Sequence, residues 1–128
     1  MNDKVLLSIA IPTYNRAAFL EKLLNNIVFQ MPGLWGKVEI FISNNASTDN
    51  TREIAMKFKE KYPDFIKYNE NEINLGYDRN VLKIISMAAG KFIWTFSDDD
   101  LIVEDGIKRV VAFIMGLENK NIGGIIVK

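Results

Sequence analysis

Val5-Leu6-Leu7-Ser8-Ile9-Ala10-Ile11-Pro12-Thr13-Tyr14-Asn15-Arg16-Ala17 is the stretch on which the fold turns. A mostly apolar run stops at a proline, a polar turn follows, and from Ala17 the apolar positions adopt helical spacing. A short apolar run closed by Pro12 predicts a buried strand over 5–11. Phe19, Leu20, Leu23, Leu24, Ile27 and Val28 then share one helical face, with Asn15 the expected N-cap.

The same order of strand, polar turn and helix repeats outward from there. Pro32-Gly33 punctuates the first helix, and a second strand is predicted over 38–42. Ser47-Thr48 is expected to cap a helix reaching about residue 62. Its inner face would be Ile54, Ala55, Phe58 and Tyr62, with Glu53 and Lys57 forming an i,i+4 pair. Pro63 ends it before a strand over 65–68. A third helix over 76–89 would turn Val81, Leu82, Ile84 and Ile85 inward and end at Gly90. A strand over 91–96, a helix over 104–117 and a fifth strand over 123–127 complete the pattern. Such alternation implies right-handed βαβ units in an α/β fold, a mainly parallel sheet with helices on both faces.

Composition narrows the function. A chain of 128 residues makes one domain. Its 16 basic and 16 acidic side chains balance, so no excess cation is present to neutralise a nucleic-acid backbone, and no nucleic-acid partner is expected. Lys57, Lys59 and Lys61 read as a solvated helix face. There is no cysteine, hence no disulfide framework or thiolate zinc site. There is no histidine either, which leaves carboxylates as the candidate acid–base groups. Met1-Asn2-Asp3-Lys4 leads straight into a strand without a signal peptide. No apolar run approaches the ~20 residues of a transmembrane segment, and a cytoplasmic location is expected.

Each polar segment follows a strand, and in a parallel sheet all of them gather at the carboxyl edge, where ligands bind. In Pro12-Thr13-Tyr14-Asn15-Arg16, Tyr14 offers a ring for a base and Arg16 a cation for phosphate; an ordinary capped turn is the simpler alternative. In Ser43-Asn44-Asn45-Ala46-Ser47-Thr48-Asp49, either Asn44 or Asn45 could read a base edge, since an amide both donates and accepts; turn and capping roles also suit these residues. In Asn74-Leu75-Gly76-Tyr77-Asp78-Arg79-Asn80, Gly76 allows close backbone approach at a helix N-terminus, and Arg79 in the first turn could meet a diphosphate. The segment is neither a P-loop nor a GxGxxG fingerprint. Finally, Trp94-Thr95-Phe96 runs into Ser97-Asp98-Asp99-Asp100. Neighbouring carboxylates repel by roughly 1 kcal/mol per pair even in water. A hard divalent cation such as Mn²⁺ or Mg²⁺ would relieve that repulsion, and a solvated acidic turn before a helix is the plainer explanation.

Taken in order and spacing, Ser8 to Arg16, Ser43 to Asp49, Asn74 to Asn80 and Ser97 to Asp100 resemble family 2 glycosyltransferases of the Rossmann-like GT-A fold, across nearly the whole chain. The resemblance implies a nucleotide-binding set of Pro12, Thr13, Tyr14, Arg16, Asn44, Asn45, Asn74, Gly76, Arg79 and Asp98. It also implies a DxD-type metal site on Asp98, Asp99 and Asp100 that holds Mn²⁺ or Mg²⁺ on a nucleoside-diphosphate sugar. The triplet aligns in two ways, with Asp98 and Asp100 as the DxD or with Ser97 in its first position and Asp99 as principal ligand. The family usually carries an Asp pair where this chain has Asn44-Asn45, which weakens a UDP assignment and makes CDP worth testing. Family members also run on for a hundred residues or more with the acceptor site and the catalytic base. Residues 1–128 therefore resemble a truncated donor-binding portion, whose base lies elsewhere and is unknown. The implied reaction is inverting transfer to a glycan or lipid-linked acceptor, as in bacterial polysaccharide-building enzymes. A lipid-linked acceptor would bring the protein to the inner face of the membrane, and an apolar edge exposed by truncation is expected to favour a homodimer.

Three other classes compete. A nucleotide- and metal-binding module would bind without transfer. A sugar nucleotidyltransferase would need a Gly-rich basic loop after the first strand, where this chain has Pro12-Thr13-Tyr14-Asn15. A phosphoacceptor receiver domain would need an acidic pair after the first strand and a lone Asp after the third, whereas the triplet here follows the fourth.

Overall fold

The alternation is realised in the computed structural model, which describes residues 5–117. The elements are β1 (Leu7–Thr13), α1 (Ala17–Gln30), β2 (Val38–Asn44), α2 (Thr51–Lys61), β3 (Ile66–Glu70), α3 (Tyr77–Met87), β4 (Phe92–Thr95) and α4 (Gly106–Leu117). The strand expected over 123–127 lies outside the described residues. All strand pairs are parallel and the order is β3-β2-β1-β4. The chain steps outward from β1 to β3, then returns through α3 to the other side of β1. That reversal makes a topological switch point between β1 and β4, the place where an open parallel sheet leaves a crevice at its carboxyl edge.

β1 does not stop at Pro12 as expected but runs on to Thr13. The missing N–H of proline normally bars it from an inner strand. The backbone oxygens of Leu6 and Ala10 accept from Phe92 and Phe96, so the even-numbered residues of β1 face β4. The β1–β4 ladder ends at Ala10 and Thr95. Pro12 therefore lies beyond β4, where no partner needs its donor, and the β2-facing side of the strand continues with Asn45 N–H donating to the Thr13 carbonyl at 2.9 Å.

Strand alternation divides the core. Leu7, Ile9, Ile11, Val38, Ile40 and Ile42 pack with α1, α2 and α4 in one large apolar cluster. Each such fully buried aliphatic side chain contributes about 1.5–3 kcal/mol relative to exposure. The opposite face is thinner, with Ala10, Phe41 and Ile84 of α3 as its buried apolar residues. Beside them lies a buried polar pair. Ser8 Oγ donates to Glu39 Oε2 at 2.6 Å, the Ala89 N–H donates to the same carboxylate oxygen at 2.8 Å, and the Gly90 N–H donates to Ser8 Oγ at 2.8 Å. A Cβ on Gly90 would stand 2.5 Å from the Ser8 nitrogen, so this approach of strand and turn requires glycine.

Several helix details differ from the sequence reading. α1 begins with Arg16 at the cap position, and Asn15, at φ 50°, turns away to the neighbouring loop. Asp49, rather than Ser47 or Thr48, accepts from the Thr51 N–H at the start of α2. Lys57 pairs with Glu21 on α1 instead of Glu53, because α1 and α2 lie side by side and bring that carboxylate within reach. Phe19 is half-exposed, and α3 ends at Met87 with Ala88 already extended. On α3, Ile84 is buried as expected, but Leu82 and Ile85 are 64% and 44% exposed. The sheet-facing stripe there is centred on Asn80 and Ile84, one i,i+4 pair, which turns Leu82 and Ile85 outward. Among the described residues no helix is long and apolar enough to cross a membrane.

Candidate functional site

The loops after β1 and β2 are tied to each other before any ligand is considered. Asn15 Oδ1 accepts from the Thr48 N–H at 2.7 Å, and the Asn15 N–H donates to Ser47 Oγ at 2.9 Å. Asp49 spans two helix starts: Oδ1 accepts from the Thr51 N–H at 2.9 Å and Oδ2 from the Ala17 N–H at 3.3 Å. Burial pulls the Asp49 carboxyl upward, but these donated bonds outweigh it and hold the group below its ordinary value.

Between the segments after β1, β2, β3 and β4 lies a cleft of about 340 Å³. Of the residues expected at the site, Pro12, Thr13, Tyr14, Arg16, Asn45, Asn74, Gly76 and Asp98 line it. Asn44, Arg79, Asp99 and Asp100 do not. Arg79, in the first turn of α3, is exposed, and Arg16 is the cation among the described lining residues. Tyr77, Asn80 and Ser97 also line the cleft. Tyr77 was missed as a site residue although it immediately follows Gly76 at the helix start. Tyr14 and Tyr77 are 43% and 66% exposed, leaving both rings open to an aromatic ligand.

One wall of the cleft is an amide lattice. Asn45 Nδ2 donates to Asn74 Oδ1 at 2.8 Å and to the Gly76 carbonyl at 3.3 Å. Its Oδ1 accepts from Asn71 Nδ2 at 3.0 Å and from the Leu75 N–H at 2.9 Å. Two donors and two lone pairs are thus engaged, the full capacity of the amide. Asn71 Nδ2 also donates to Asn80 Oδ1 at 2.9 Å, and Asn80 accepts from Ser43 Oγ at 2.7 Å. In this conformation Asn45 holds the 71–76 loop and has no capacity left for a base edge. Gly76 sits at φ 85°, a left-handed conformation that glycine adopts without strain.

Asn44 belongs to a second chain of bonds. Its Nδ2 donates to the Tyr68 hydroxyl at 2.9 Å, and that hydroxyl donates to Glu70 Oε1 at 2.6 Å. Arg52 closes the chain on both oxygens of Glu70. Burial, reinforced by the Glu70 carboxylate, pushes the Tyr68 hydroxyl up to about 12, so it stays protonated and remains a donor. The Arg52 bond and then the Tyr68 bond hold the Glu70 carboxyl below its ordinary value, against burial.

The acidic turn distributes its carboxylates. Asp98 is buried, and its Oδ2 accepts from Thr13 Oγ1 at 2.9 Å, across the switch point between β4 and β1. Burial pushes its carboxyl above the ordinary value, with Thr13 and Arg16 opposing and Asp99 adding to the rise. Asp99 is held low by the Ser97 hydroxyl and by Arg16, whose Nη1 donates to Asp99 Oδ2 at 3.1 Å. Arg16 Nε lies 3.9 Å from Asp98 Oδ1. Asp100 is exposed and has no side-chain partner among the described residues. The three carboxylates therefore do not share one ligand set as expected, and no group of three acidic side chains among the described residues converges on a metal position. Asp98 is held by Thr13 and Asp99 by Ser97 and Arg16, while Asp100 extends into solvent, so the three side chains diverge. The donor chemistry still suits Mn²⁺ or Mg²⁺, which take one or two carboxylates and complete their shell with phosphate oxygens and water.

A larger open depression of about 750 Å³ lies between α1 and the start of α4, lined in part by Asn26, Gln30 and Lys108. None of the expected site residues reaches it, and the Ile102 carbonyl nearby is already satisfied by Asn26 and Gln30.

Comparison with known proteins bears on what the cleft serves. The sequence model of glycosyl transferase family 2 matches residues 8–128. Abequosyltransferase RfbV of Salmonella typhimurium is 44% identical over 110 residues, covering 86% of this chain and 33% of the relative. Staphylococcus aureus TarS, solved in complex with UDP, superposes with a TM-score of 0.79 at 25% identity, covering 97% of this chain and 38% of that one. Mannosyltransferase PcManGT of Pyrobaculum calidifontis, solved with GDP-Man and Mn²⁺, gives a TM-score of 0.79 at 24% identity, covering 94% and 34%, a likeness of fold. The chain spans less than half the length of the relatives it matches, and about a third of RfbV and PcManGT.

Proposed function

The chain belongs to glycosyl transferase family 2, and from that premise we propose that its cleft binds the nucleoside-diphosphate sugar of a metal-dependent glycosyltransferase. The observation that carries this reading is the meeting of Tyr14, Arg16 and the buried Asp98 in one cleft at the β1–β4 switch point. In the reaction, an acceptor hydroxyl oxygen bonds to the anomeric carbon while the bond from that carbon to the diphosphate breaks, with inversion. The acceptor is a glycan or lipid-linked sugar. A lipid-linked acceptor would hold the protein at the cytoplasmic face of a membrane.

Each residue's part follows from its surroundings. Tyr14 presents a half-exposed ring against which a nucleobase stacks, and Tyr77 offers a second. Arg16 supplies the cation for the diphosphate. Asn45, Asn74 and Gly76 shape the wall through the amide lattice. Asn44, buried outside the cleft lining, supports the wall from behind by donating to the Tyr68 hydroxyl and accepting from the Ser47 N–H, and does not itself meet the UDP or CDP base. Mn²⁺ or Mg²⁺, held by Asp98 with Asp99 or Asp100, would neutralise the leaving diphosphate. Thr13, by donating to Asp98, fixes the direction of that carboxylate toward the cleft.

A second reading, a module that binds the donor without transferring it, draws on one fact: Asp98 is the only carboxylate among the described lining residues. Calorimetric titration with UDP, CDP, GDP and dTDP, in Mn²⁺ and in EDTA, tests both. Metal-dependent binding of one nucleotide, weakened about tenfold or more in Asp98→Asn, is the expected result. Binding of none overturns the donor-site reading. Tight binding with neither transfer nor donor hydrolysis selects the module.

A further inference from the structure

Arg16 is paired with the acidic turn that follows β4. Its guanidinium bonds Asp99 at 3.1 Å, sits 3.9 Å from Asp98, and lies over the Phe19 ring with its carbon 5.6 Å from the centroid. Its side chain is 45% exposed, so it is held by charge and by the ring face and not by burial. Thr13 keeps Asp98 in place independently of Arg16. Two facts follow from this arrangement. The acidic turn is already partly neutralised without any metal, and the cation that neutralises it is also the lining cation that faces an incoming diphosphate.

We infer that Arg16 is the resident counterion of the acidic turn, and that its transfer from Asp98 and Asp99 to the diphosphate couples nucleotide binding to metal binding. Before the nucleotide arrives, a guanidinium on the two carboxylates repels a divalent cation and withholds their oxygens. A diphosphate offers the guanidinium a bidentate partner of higher charge. The carboxylates are then released at the moment the phosphate oxygens that complete a metal's shell come into place. Each ligand thereby raises the affinity of the other, as linkage requires. Phe19 gives the guanidinium a ring face along which to pivot.

This inference rests on the donor-site reading, and the two fail separately. Mn²⁺ binding is followed by electron paramagnetic resonance of the free ion without nucleotide, for the wild type, Arg16→Gln and Arg16→Lys. UDP and CDP binding is followed by calorimetry at saturating Mn²⁺. Removing the counterion is expected to tighten Mn²⁺ about tenfold while weakening the nucleoside diphosphate about tenfold. Arg16→Lys, which keeps the charge, should hold Mn²⁺ within about twofold of the wild type. Opposite signs on the two ligands are what a purely structural arginine, or one that only binds phosphate, does not produce. If Arg16→Gln leaves Mn²⁺ affinity unchanged while an Asp98→Asn, Asp100→Asn double variant abolishes it, the donor site stands and the counterion exchange is overturned. If neither the wild type nor Arg16→Gln binds Mn²⁺ with or without UDP or CDP, both are overturned.

Discussion

Replacing Asn45 by Asp changes one atom for another of nearly equal size, yet the lattice around it makes the change severe. The amide nitrogen donates to two acceptors, Asn74 Oδ1 and the Gly76 carbonyl, and an aspartate in its place would donate to neither. Each lost bond costs about 1 kcal/mol net, and setting a carboxylate oxygen against two oxygen acceptors raises this to as much as about 3 kcal/mol. Asn45 itself is 3% exposed, so water cannot enter freely to repair the loss. Its Oδ1 side would still accept from Asn71 and Leu75, which offsets part of the penalty for burying the charge. The sum is a destabilisation of about 3–5 kcal/mol, a large share of the roughly 5–15 kcal/mol that holds a typical domain. Urea unfolding followed by far-ultraviolet circular dichroism measures it directly. A midpoint within about 0.5 kcal/mol of the wild type would refute the claim that this amide holds the 71–76 loop, and would return Asn45 to the pool of base-reading side chains.

Two further substitutions test the frame. Gly90→Ala places a methyl carbon 2.5 Å from the Ser8 nitrogen and 2.8 Å from the Phe92 carbonyl, both backbone atoms, and should destabilise by about 1–3 kcal/mol in the same urea assay. Glu70 has a folded-state pKa depressed below its ordinary 4.5, so its pairing with Arg52 and Tyr68 stabilises the protein above that value. The contribution is lost as the pH falls through the folded value. Glu70→Gln should therefore melt slightly lower than the wild type near neutrality, with the gap closing as the pH falls below 4.5 and through the folded value. A gap that is constant with pH would argue that Glu70 acts through packing alone.

Much of the fold was legible because its signals are local. Pro12 and the switch to helical spacing at Ala17 mark a strand and a helix without reference to distant residues, and repetition of that pattern implies a parallel sheet. The site's position was legible for the same reason, since Tyr14, Arg16 and Asp98 each follow a strand directly. What could not be read depends on partners remote in sequence. Lys57 takes Glu21, 36 residues away, over a neighbour one helical turn off. Asn45 and Asn71 meet 26 residues apart through strand register. Helical periodicity marks Leu82 and Ile85 as core because it counts apolar residues. The stripe that α3 buries is set instead by Asn80, a polar residue whose amide pairs with Ser43 on the sheet beneath the helix.

The bonds that run from Asn15 to Thr48 and from Asp49 to Ala17 also bear on how such a protein changes over generations and in the hands of an engineer. Neither loop has a conformation of its own to be optimised. An altered residue after β1 is judged by the backbone after β2, and the reverse. Neutral drift in one loop is therefore filtered by the other, and substitutions there should be acceptable in pairs that are harmful singly. A new base preference transplanted from a relative would have to travel as a cassette, residues 12–17 together with 43–51, or arrive in a scaffold that no longer fits it.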